Sequence, residues 1–357
     1  MSIKKIAEIT GASMATVSRV LNNPNYKCAK PGMREQIWKA AMEINYTPNE
    51  AARNLKRGTG SVQQNHYYID VLMTRMDGVH RDPFFEELLR VVESQIHDNA
   101  CILSRVWYQS VFSDDRACEK SNLDRIFRDM FEDQEEHNGL IIIGRCCPKV
   151  IKRLKRYYKN IVSINRNSTN YEVDEVLCDG KKIASLAVEY LAELGHERIA
   201  YVGKCHEEAR YKGYSEVLRL HNIDFYPEYI IDTEQTEKAG FATMQQFLQM
   251  DIPPTGIYCA NDITAIGMLK CLNQYRNLPY TPSIISSDDI EEGQFTKPML
   301  STVHLPKENM ARFAIHLLLD RIQGRHTEVI RMELEGKLMI RSSCMSVQDL
   351  NQPEYFI

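Results

Sequence analysis

Several signatures are missing from this chain, and each absence narrows what it does. No apolar run reaches the ~20 residues that a membrane-crossing helix needs. No charged leader with an apolar stretch precedes the first helical pattern, so no export signal is expected. The ten cysteines are scattered and form no CxxC pair. Cys146 and Cys147 are adjacent and sit badly for a mutual disulfide, so they read as small buried hydrophobes. Thiols without an export signal point to a reducing cytoplasm. The chain has no nucleophile elbow and no defensible pair of catalytic carboxylates, so an enzyme is not expected. Neither a metal nor a cofactor is implied.

What is present begins at the first residues. Formal charge is −4 over 357 residues, yet residues 1–60 hold ten Lys/Arg against four Asp/Glu, a net of +6, which leaves −10 for the rest. A basic head on an acidic body suits a phosphate-binding module whose body is repelled by the same phosphates. Within that head, Ile3, Ile6, Ala7 and Ile9 form an apolar stripe with roughly helical spacing. Gly11 supplies a sharp turn, and Ser13 is placed to cap a second helix that buries Val17, Val20 and Leu21. This is the pattern of a helix-turn-helix, with Met14, Ala15, Thr16, Ser18 and Arg19 turned outward.

Beyond Gly58–Gly60 short apolar strands alternate with helical stretches, as in a parallel α/β fold. Strands are expected at Tyr67–Met73, Ala100–Tyr108, Gly139–Ile143, Ile161–Asn165, Ile199–Val202, Gly256–Tyr258 and Ser283–Ser286. Helices are expected from Pro83 to about Gln95 and over Ile183–Leu194.

Six motifs in order carry a family resemblance. They are Ala15-Thr16-Val17-Ser18-Arg19-Val20-Leu21-Asn22; Ala40-Ala41-Met42 with Asn45-Tyr46-Thr47-Pro48-Asn49; Leu194-Gly195-His196-Glu197-Arg198-Ile199-Ala200-Tyr201-Val202-Gly203; Ala260-Asn261-Asp262; Asp288-Asp289-Ile290; and Pro298-Met299-Leu300-Ser301-Thr302-Val303. Together they resemble the lactose/galactose-repressor (LacI/GalR) family of bacterial transcription factors, to about Cys344. The resemblance implies an all-α helix-turn-helix head with a hinge helix, then an α/β two-lobed, periplasmic-binding-protein-like body of two parallel sheets flanked by helices. The expected boundaries are 1–60 for head and hinge, 61–176 plus 306–326 for the first lobe, 177–305 plus 327–345 for the second, and 346–357 for a tail.

For the head, the resemblance places helix two in the major groove. Met14 and Ala15 occupy the main discriminating positions, and both are apolar, able to pack on thymine methyls but offering no bidentate hydrogen bonds. Arg19 is the best candidate for direct readout, because guanidinium matches the two acceptors of guanine. Ser13, Thr16, Ser18 and Asn22 suit phosphate oxygens, which position without specifying. Residues 49–57 match a hinge helix that orders on DNA. Leu55 aligns with a leucine that wedges into the minor groove, and Ala51 and Ala52 are small enough for a close helix pair. The loop around Pro31-Gly32 departs from the pattern.

For the body, the resemblance implies a sugar-type effector between the lobes. Arg210, three residues before Gly213, matches an arginine that grips effector hydroxyls, and Asn261 and Asp288 match two further polar anchors. Arginine, amide and carboxylate can together clamp a polyol. Phe84 or Phe85 is placed to stack on a sugar face, Trp107 is a comparable candidate, and Asn165-Arg166 at a strand end is expected to line the cleft. Several relatives carry a tryptophan near position 235, where this chain has Gln235-Thr236. Asp262 and Asp289 read as structural.

The expected whole is a homodimer on near-palindromic operator DNA, repressing carbohydrate-utilisation genes until a sugar or sugar phosphate releases it. A corepressor- or partner-controlled global regulator of the same family is the alternative. A sugar-binding transport protein or a hydrolase is the weakest reading. The tail after Cys344 lacks leucine heptads, which favours a dimer over a tetramer.

Overall fold

The computed structural model describes residues 3–22, 26, 28, 30, 32–43, 66–76, 82–132, 137–170, 172–205, 208–275 and 280–349. The chain divides into two compact units, Met1–Asn65 and His66–Ile357.

In the first unit, α1 (Ile3–Thr10), α2 (Met14–Asn22) and α3 (Met33–Glu43) close around Ile6, Val17, Val20, Leu21, Ile37, Ala40 and Ala41. Gly11 has φ +63° and makes the turn after α1. The Ser13 hydroxyl accepts from the Thr16 backbone N–H at 3.1 Å and so caps α2. The expected stripe on α1 is narrower than its sequence suggested. Ile6 is fully buried and Ala7 half-buried, while Ile9 is 52% exposed. A helix of eight residues packed on α2 and α3 buries one narrow strip, and Ile9 falls outside it.

The second unit holds two six-stranded sheets. The first contains β1 (Tyr68–Met73), β2 (Ile102–Tyr108), β3 (Gly139–Ile143), β4 (Ile161–Asn165), β5 (Asp174–Leu177) and β11 (Arg331–Glu333), in the order β11-β5-β4-β3-β1-β2. The second contains β6 (Ile199–Gly203), β7 (Ile230–Asp232), β8 (Gly256–Cys259), β9 (Ser283–Asp288), β10 (Ser301–His304) and β12 (Lys337–Met339), in the order β12-β10-β9-β8-β6-β7. Pairings are parallel throughout, except that β12 runs antiparallel to β10. The central strands β3 and β4 are buried along their whole length, because helices cover both faces.

Helices of the first lobe are α4 (Pro83–Asp98), α5 (Asp115–Lys120), α6 (Leu123–Met130), α7 (Pro148–Leu154) and, from late in the chain, α13 (Lys307–Ile322), which packs on α4 and on β3, β4 and β5. The second lobe holds α8 (Gly180–Glu193), α9 (Ala209–Leu220), α10 (Glu237–Phe247), α11 (Asp262–Gln274) and α12 (Glu291–Gln294).

The chain therefore crosses between lobes three times: after β5, between β10 and α13, and between β11 and β12. The last crossing lies later than the expected 326/327 boundary. Arg331, Met332 and Glu333 pair with Glu175, Val176 and Leu177, so these residues extend the first sheet. Leu177 likewise closes β5 and belongs to the first lobe. Strand β1 shows the two faces of its sheet. Ile69, Val71 and Met73 join the main core, while Leu72 joins a second core with Phe112, Phe127, Leu140 and Ile142. Cys146 and Cys147 are buried in that second core, where burial pushes both thiols well above their ordinary range.

Candidate DNA-reading head and interlobe cleft

On α2 the buried and outward faces separate cleanly. Val17 and Val20 fill the head core, while Met14, at 56%, and Ala15 and Arg19 are exposed and Thr16 is half-exposed. Ser13 is spent on the cap and also lies 2.9 Å from the Thr16 hydroxyl. The Arg19 guanidinium stands 6.0 Å from the Tyr26 ring centroid. Ala52 and Leu55, and the side chains of Ser18 and Asn22, lie outside the described residues.

The second candidate site forms where strand ends of both lobes converge. Residues that follow β1, β3 and β4 meet residues at the start of α9, at the end of β9 and before α10. They enclose a cavity of about 30 Å³, lined by Arg75, Phe85, Arg145, Asn165, Arg166, Asn167, Glu208 and Arg210. That is the room of about one water molecule, so the protein's own side chains fill the cleft.

Three of the ties from lobe to lobe lie at this cleft. The Arg166 guanidinium stands 2.7 Å from the Asp288 carboxylate, an ion pair in distance but without the alignment of a hydrogen bond. Arg75 Nη2 donates to Gln235 Oε1 at 3.0 Å. The Ala209 backbone N–H donates to Asn167 Oδ1 at 3.2 Å. Under them, Phe84 and Phe85 meet edge to face with centroids 5.1 Å apart. Arg166 lies 4.4 Å from the Phe84 centroid and 5.2 Å from that of Phe85, and Lys307 lies 5.4 Å from Phe84. These faces hold the cations by their quadrupoles.

Electrostatics within the cleft are uneven. Burial alone would raise the Glu208 carboxyl, but the charge of Arg210, its hydrogen bond, and then Arg75 and Arg166 bring it down to about 2. Arg210 donates to Glu208 at 2.9 Å and also to the Ala260 carbonyl, so its orientation is set. Asp288 goes the other way. Burial pushes its carboxyl up to about 8, against the pull of Arg166. Its backbone has φ +134°, unusual for a residue with a side chain, and Asp289 follows at +53°.

Of the anchors expected from sequence, the structure brings together Arg210, Asp288, Asn165, Phe84 and Phe85. Asn165 braces the turn after β4: its oxygen accepts from the Arg166 N–H at 2.7 Å and its nitrogen donates to the Asn167 carbonyl at 2.6 Å. Asn261 is engaged as the cap of α11. Its oxygen accepts from the Thr264 N–H at 3.3 Å and hydroxyl at 2.5 Å, and its nitrogen donates to the Gln235 carbonyl at 3.2 Å. Trp107 is placed elsewhere, in the second core 6.3 Å from Phe131. The period-2 alternation of β2 sends it to the sheet face away from α4. Asp262 and Asp289 are structural. Asp262 accepts from Ser286 and Thr302 hydroxyls and the Ile290 N–H, and Asp289 accepts from Arg341 at 2.5 Å and contacts His304 Nδ1 at 2.9 Å.

The profile for bacterial regulatory proteins of the lacI family matches residues 2–49, and that for the periplasmic binding protein-like domain matches 188–344. The HTH-type transcriptional repressor CytR of Escherichia coli (strain K12) is 31% identical over 352 residues, 96% of each chain. The chain belongs to the LacI family. It is a DNA-binding transcriptional repressor with a helix-turn-helix head and a two-sheet body. The ribose operon repressor of the same organism is 26% identical and covers 96% of this chain and 99% of its own. Among solved structures, the transcriptional regulator CelR–cellobiose complex superposes with TM-score 0.66 at 21% identity, over 96% of this chain and all of the other. The lac repressor dimer bound to operator and the anti-inducer ONPF gives 0.62 at 20%, over 97% and 99%.

Against that family background, Arg75 and Glu208 were missed from sequence, and Gln235 was noticed only as the lack of a tryptophan. Arg75 lies two residues past the end of strand β1, and the carboxyl ends of strands are where open parallel α/β sheets place their ligand crevices. That signal was available. Glu208 and Gln235 lie in loops, and nothing local marks them.

Proposed function

We propose that this LacI-family chain represses carbohydrate-utilisation genes as a cytoplasmic homodimer on a near-palindromic operator, and that a polyhydroxylated effector bound between the lobes releases it. It performs no catalysis in this reading. The observation that carries it is the convergence of Asn165 and Arg166 from the first lobe with Glu208 and Arg210 from the second on one small cavity, with Asp288 of the second lobe held 2.7 Å from Arg166. Such a site links lobe closure to ligand contacts, and a ligand that favours one closure state shifts the head's affinity by the same coupling. Several relatives support it: the ribose repressor is named for its sugar's operon, and CelR was solved with cellobiose. Among the described residues no helix is long and apolar enough to cross a membrane.

Head and hinge share the reading of DNA. Arg19 contacts bases, Met14 and Ala15 pack on them, Ser13, Thr16, Ser18 and Asn22 position the helix on phosphates, and Leu55, with Ala52 beside it, wedges the minor groove. Selection of binding sites from random DNA by the full-length protein is expected to return a two-fold symmetric sequence. An asymmetric site overturns the dimer reading. Leu55→Ala is expected to weaken binding to that site by roughly tenfold or more, since unstacking one step involves a few kcal/mol. On the same site, a sugar panel is expected to contain a compound that releases the protein. Asp288→Asn is expected to keep operator affinity and lose the release. A compound that tightens binding instead makes the protein a corepressor-controlled regulator.

A further inference from the structure

Arg75 stands in surroundings that do not balance its charge. It leaves the end of β1 and enters the cleft where β3 closes on Gly144. A Cβ on Gly144 would lie 2.5 Å from Arg75 Cγ and 2.7 Å from the Thr74 hydroxyl, and Gly144 has φ +98°. The end of β3 is thus kept clear for this side chain. Among the described residues its guanidinium has one hydrogen-bond acceptor, the neutral amide oxygen of Gln235, and it lies 5.8 Å from the Phe85 ring centroid. Among the described residues no carboxylate stands at ion-pair distance from it, whereas Arg210 has Glu208 at 2.9 Å and Arg166 has Asp288 at 2.7 Å.

A guanidinium cannot shed its proton to escape burial. Burial pulls Arg75 down, the charges of Asp82 and Glu208 offset only part of this, and Arg210 and Arg166 work against them. Asp82 is also committed as the cap of α4, accepting from the Phe84 N–H at 3.1 Å. Two more donors are unsatisfied beside Arg75. The Gln235 amide nitrogen is buried without a partner, and so is Arg166 Nη1 as regards hydrogen bonding, on a residue 6% exposed. Arg166 Nη1 still has the equally unaligned Asp288 Oδ1 at 2.7 Å, so the shortage of acceptors falls on the Arg75 guanidinium and the Gln235 amide nitrogen beside it.

We propose that the effector carries an anionic group, a carboxylate or a phosphate on a polyol scaffold, and that Arg75 takes this group as a planar two-point clamp beside Arg166. Gln235 leaves Arg75 when the ligand enters, and its amide nitrogen donates to the same ligand. A neutral sugar would exchange one neutral acceptor for another and leave Arg75 as unbalanced as before, whereas an oxyanion matches the fork in charge and in geometry. The inference rests on the reading of the cleft as the effector site.

The test uses the full-length protein and matched ligands: glucose, glucuronate and glucose 6-phosphate; ribose and ribose 5-phosphate; and inorganic phosphate alone. Calorimetry is expected to show at least one anionic sugar binding about tenfold or more tighter than its neutral parent, as charge-assisted pairing requires. The glucuronate and phosphate arms tell which oxyanion is taken. In Arg75→Gln the preference is expected to vanish. Gln235→Glu sets a carboxylate on Arg75 from the protein itself. It is expected to raise the melting temperature and to weaken the anionic ligand about tenfold or more, by competition for one fork. A neutral parent that binds as tightly as its anionic derivatives overturns the inference and leaves the effector reading standing. So does a preference that survives in both variants, or binding of inorganic phosphate as tight as that of the sugar phosphate. Failure of every sugar to bind overturns the effector reading itself, and this inference with it.

Discussion

Single side chains show how the same residue type is spent in opposite ways. Arg210 and Arg75 lie in one cleft, yet the first is pinned by Glu208 and the Ala260 carbonyl and the second by one amide. Motif reasoning finds Arg210 because its position is marked by Gly213, where a Cβ would fall 2.2 Å from the Lys181 carbonyl. Nothing of the kind marks the Arg75–Gln235 contact, whose partners are 160 residues apart. His196, in the third motif, is a buried residue with a structural task. Its Nε2–H donates to the Met345 carbonyl at 3.1 Å, which leaves Nδ1 to accept from the Thr255 hydroxyl at 3.0 Å. Burial brings its pKa down to about 4 from 6.5. The unfolded chain therefore binds a proton that the folded one refuses between these values. His196 stabilises the fold above pH 6.5, and this is lost as pH falls toward 4, by about 3 kcal/mol at most. Urea melts at pH 7 and pH 5 are expected to show a smaller acid loss in His196→Gln than in the parent. Equal losses would mean that His196 does not titrate in that window. The Asp288 carboxyl, raised by burial, acts in the opposite sense as pH rises toward 8, so only the difference between the two proteins isolates the histidine.

At the scale of elements, the helices of the second lobe meet through glycines. A Cβ on Gly240 of α10 would fall 1.9 Å from the Thr264 carbonyl of α11, and one on Gly267 of α11 would fall 2.0 Å from the Glu237 carbonyl of α10. The two backbones touch, and neither site has room for a methyl group. In an isolated helix Gly267→Ala would stabilise by about 1 kcal/mol through propensity. Here the clash is with backbone, which cannot swing aside, so a net loss of about 1–3 kcal/mol is expected. A raised urea midpoint would show that the helices separate cheaply. Strand positions were well marked in the sequence: Gly139–Ile143 and Ile161–Asn165 lie where their apolar, β-branched runs place them. Strand β11 was not marked, because three residues of mixed polarity on a sheet edge carry no periodicity. Trp107 was assigned to the cleft from its place near a strand end, but the pleat decides which face a strand residue serves.

Over the whole molecule, the cleft is held shut by the chain's own groups. Arg166–Asp288, Arg75–Gln235 and Asn167–Ala209 cross between the lobes, and Lys307 adds contacts to the carbonyls of Asp288 and Asp289 at 3.5 and 3.3 Å while pairing with Glu87 at 2.7 Å. An effector that enters must replace these ties with its own, which makes lobe geometry sensitive to ligand chemistry. A double-mutant cycle with Arg166→Gln and Asp288→Asn, read by chemical melting of the full chain, is expected to give a favourable coupling of about 0.5–3 kcal/mol. Strict additivity would mean that the misaligned pair does not hold the lobes. A bound effector is expected to raise the melting temperature by mass action, about 2.7 kcal/mol at a hundredfold excess over its Kd.

The amino-acid sequence by itself determined the helix-turn-helix, the basic head on an acidic body, the alternation of strands and helices, and the motifs that placed Arg210 and Asp288. These are local properties: periodicity, turn chemistry and charge are written within a few residues of one another. The tertiary structure alone decided that Arg75 faces Gln235, that Asn261 is engaged as a cap, that Trp107 leaves the cleft, and that the third crossing follows Glu333. Each of those depends on which distant segments meet, and contacts between the lobes obey no local period.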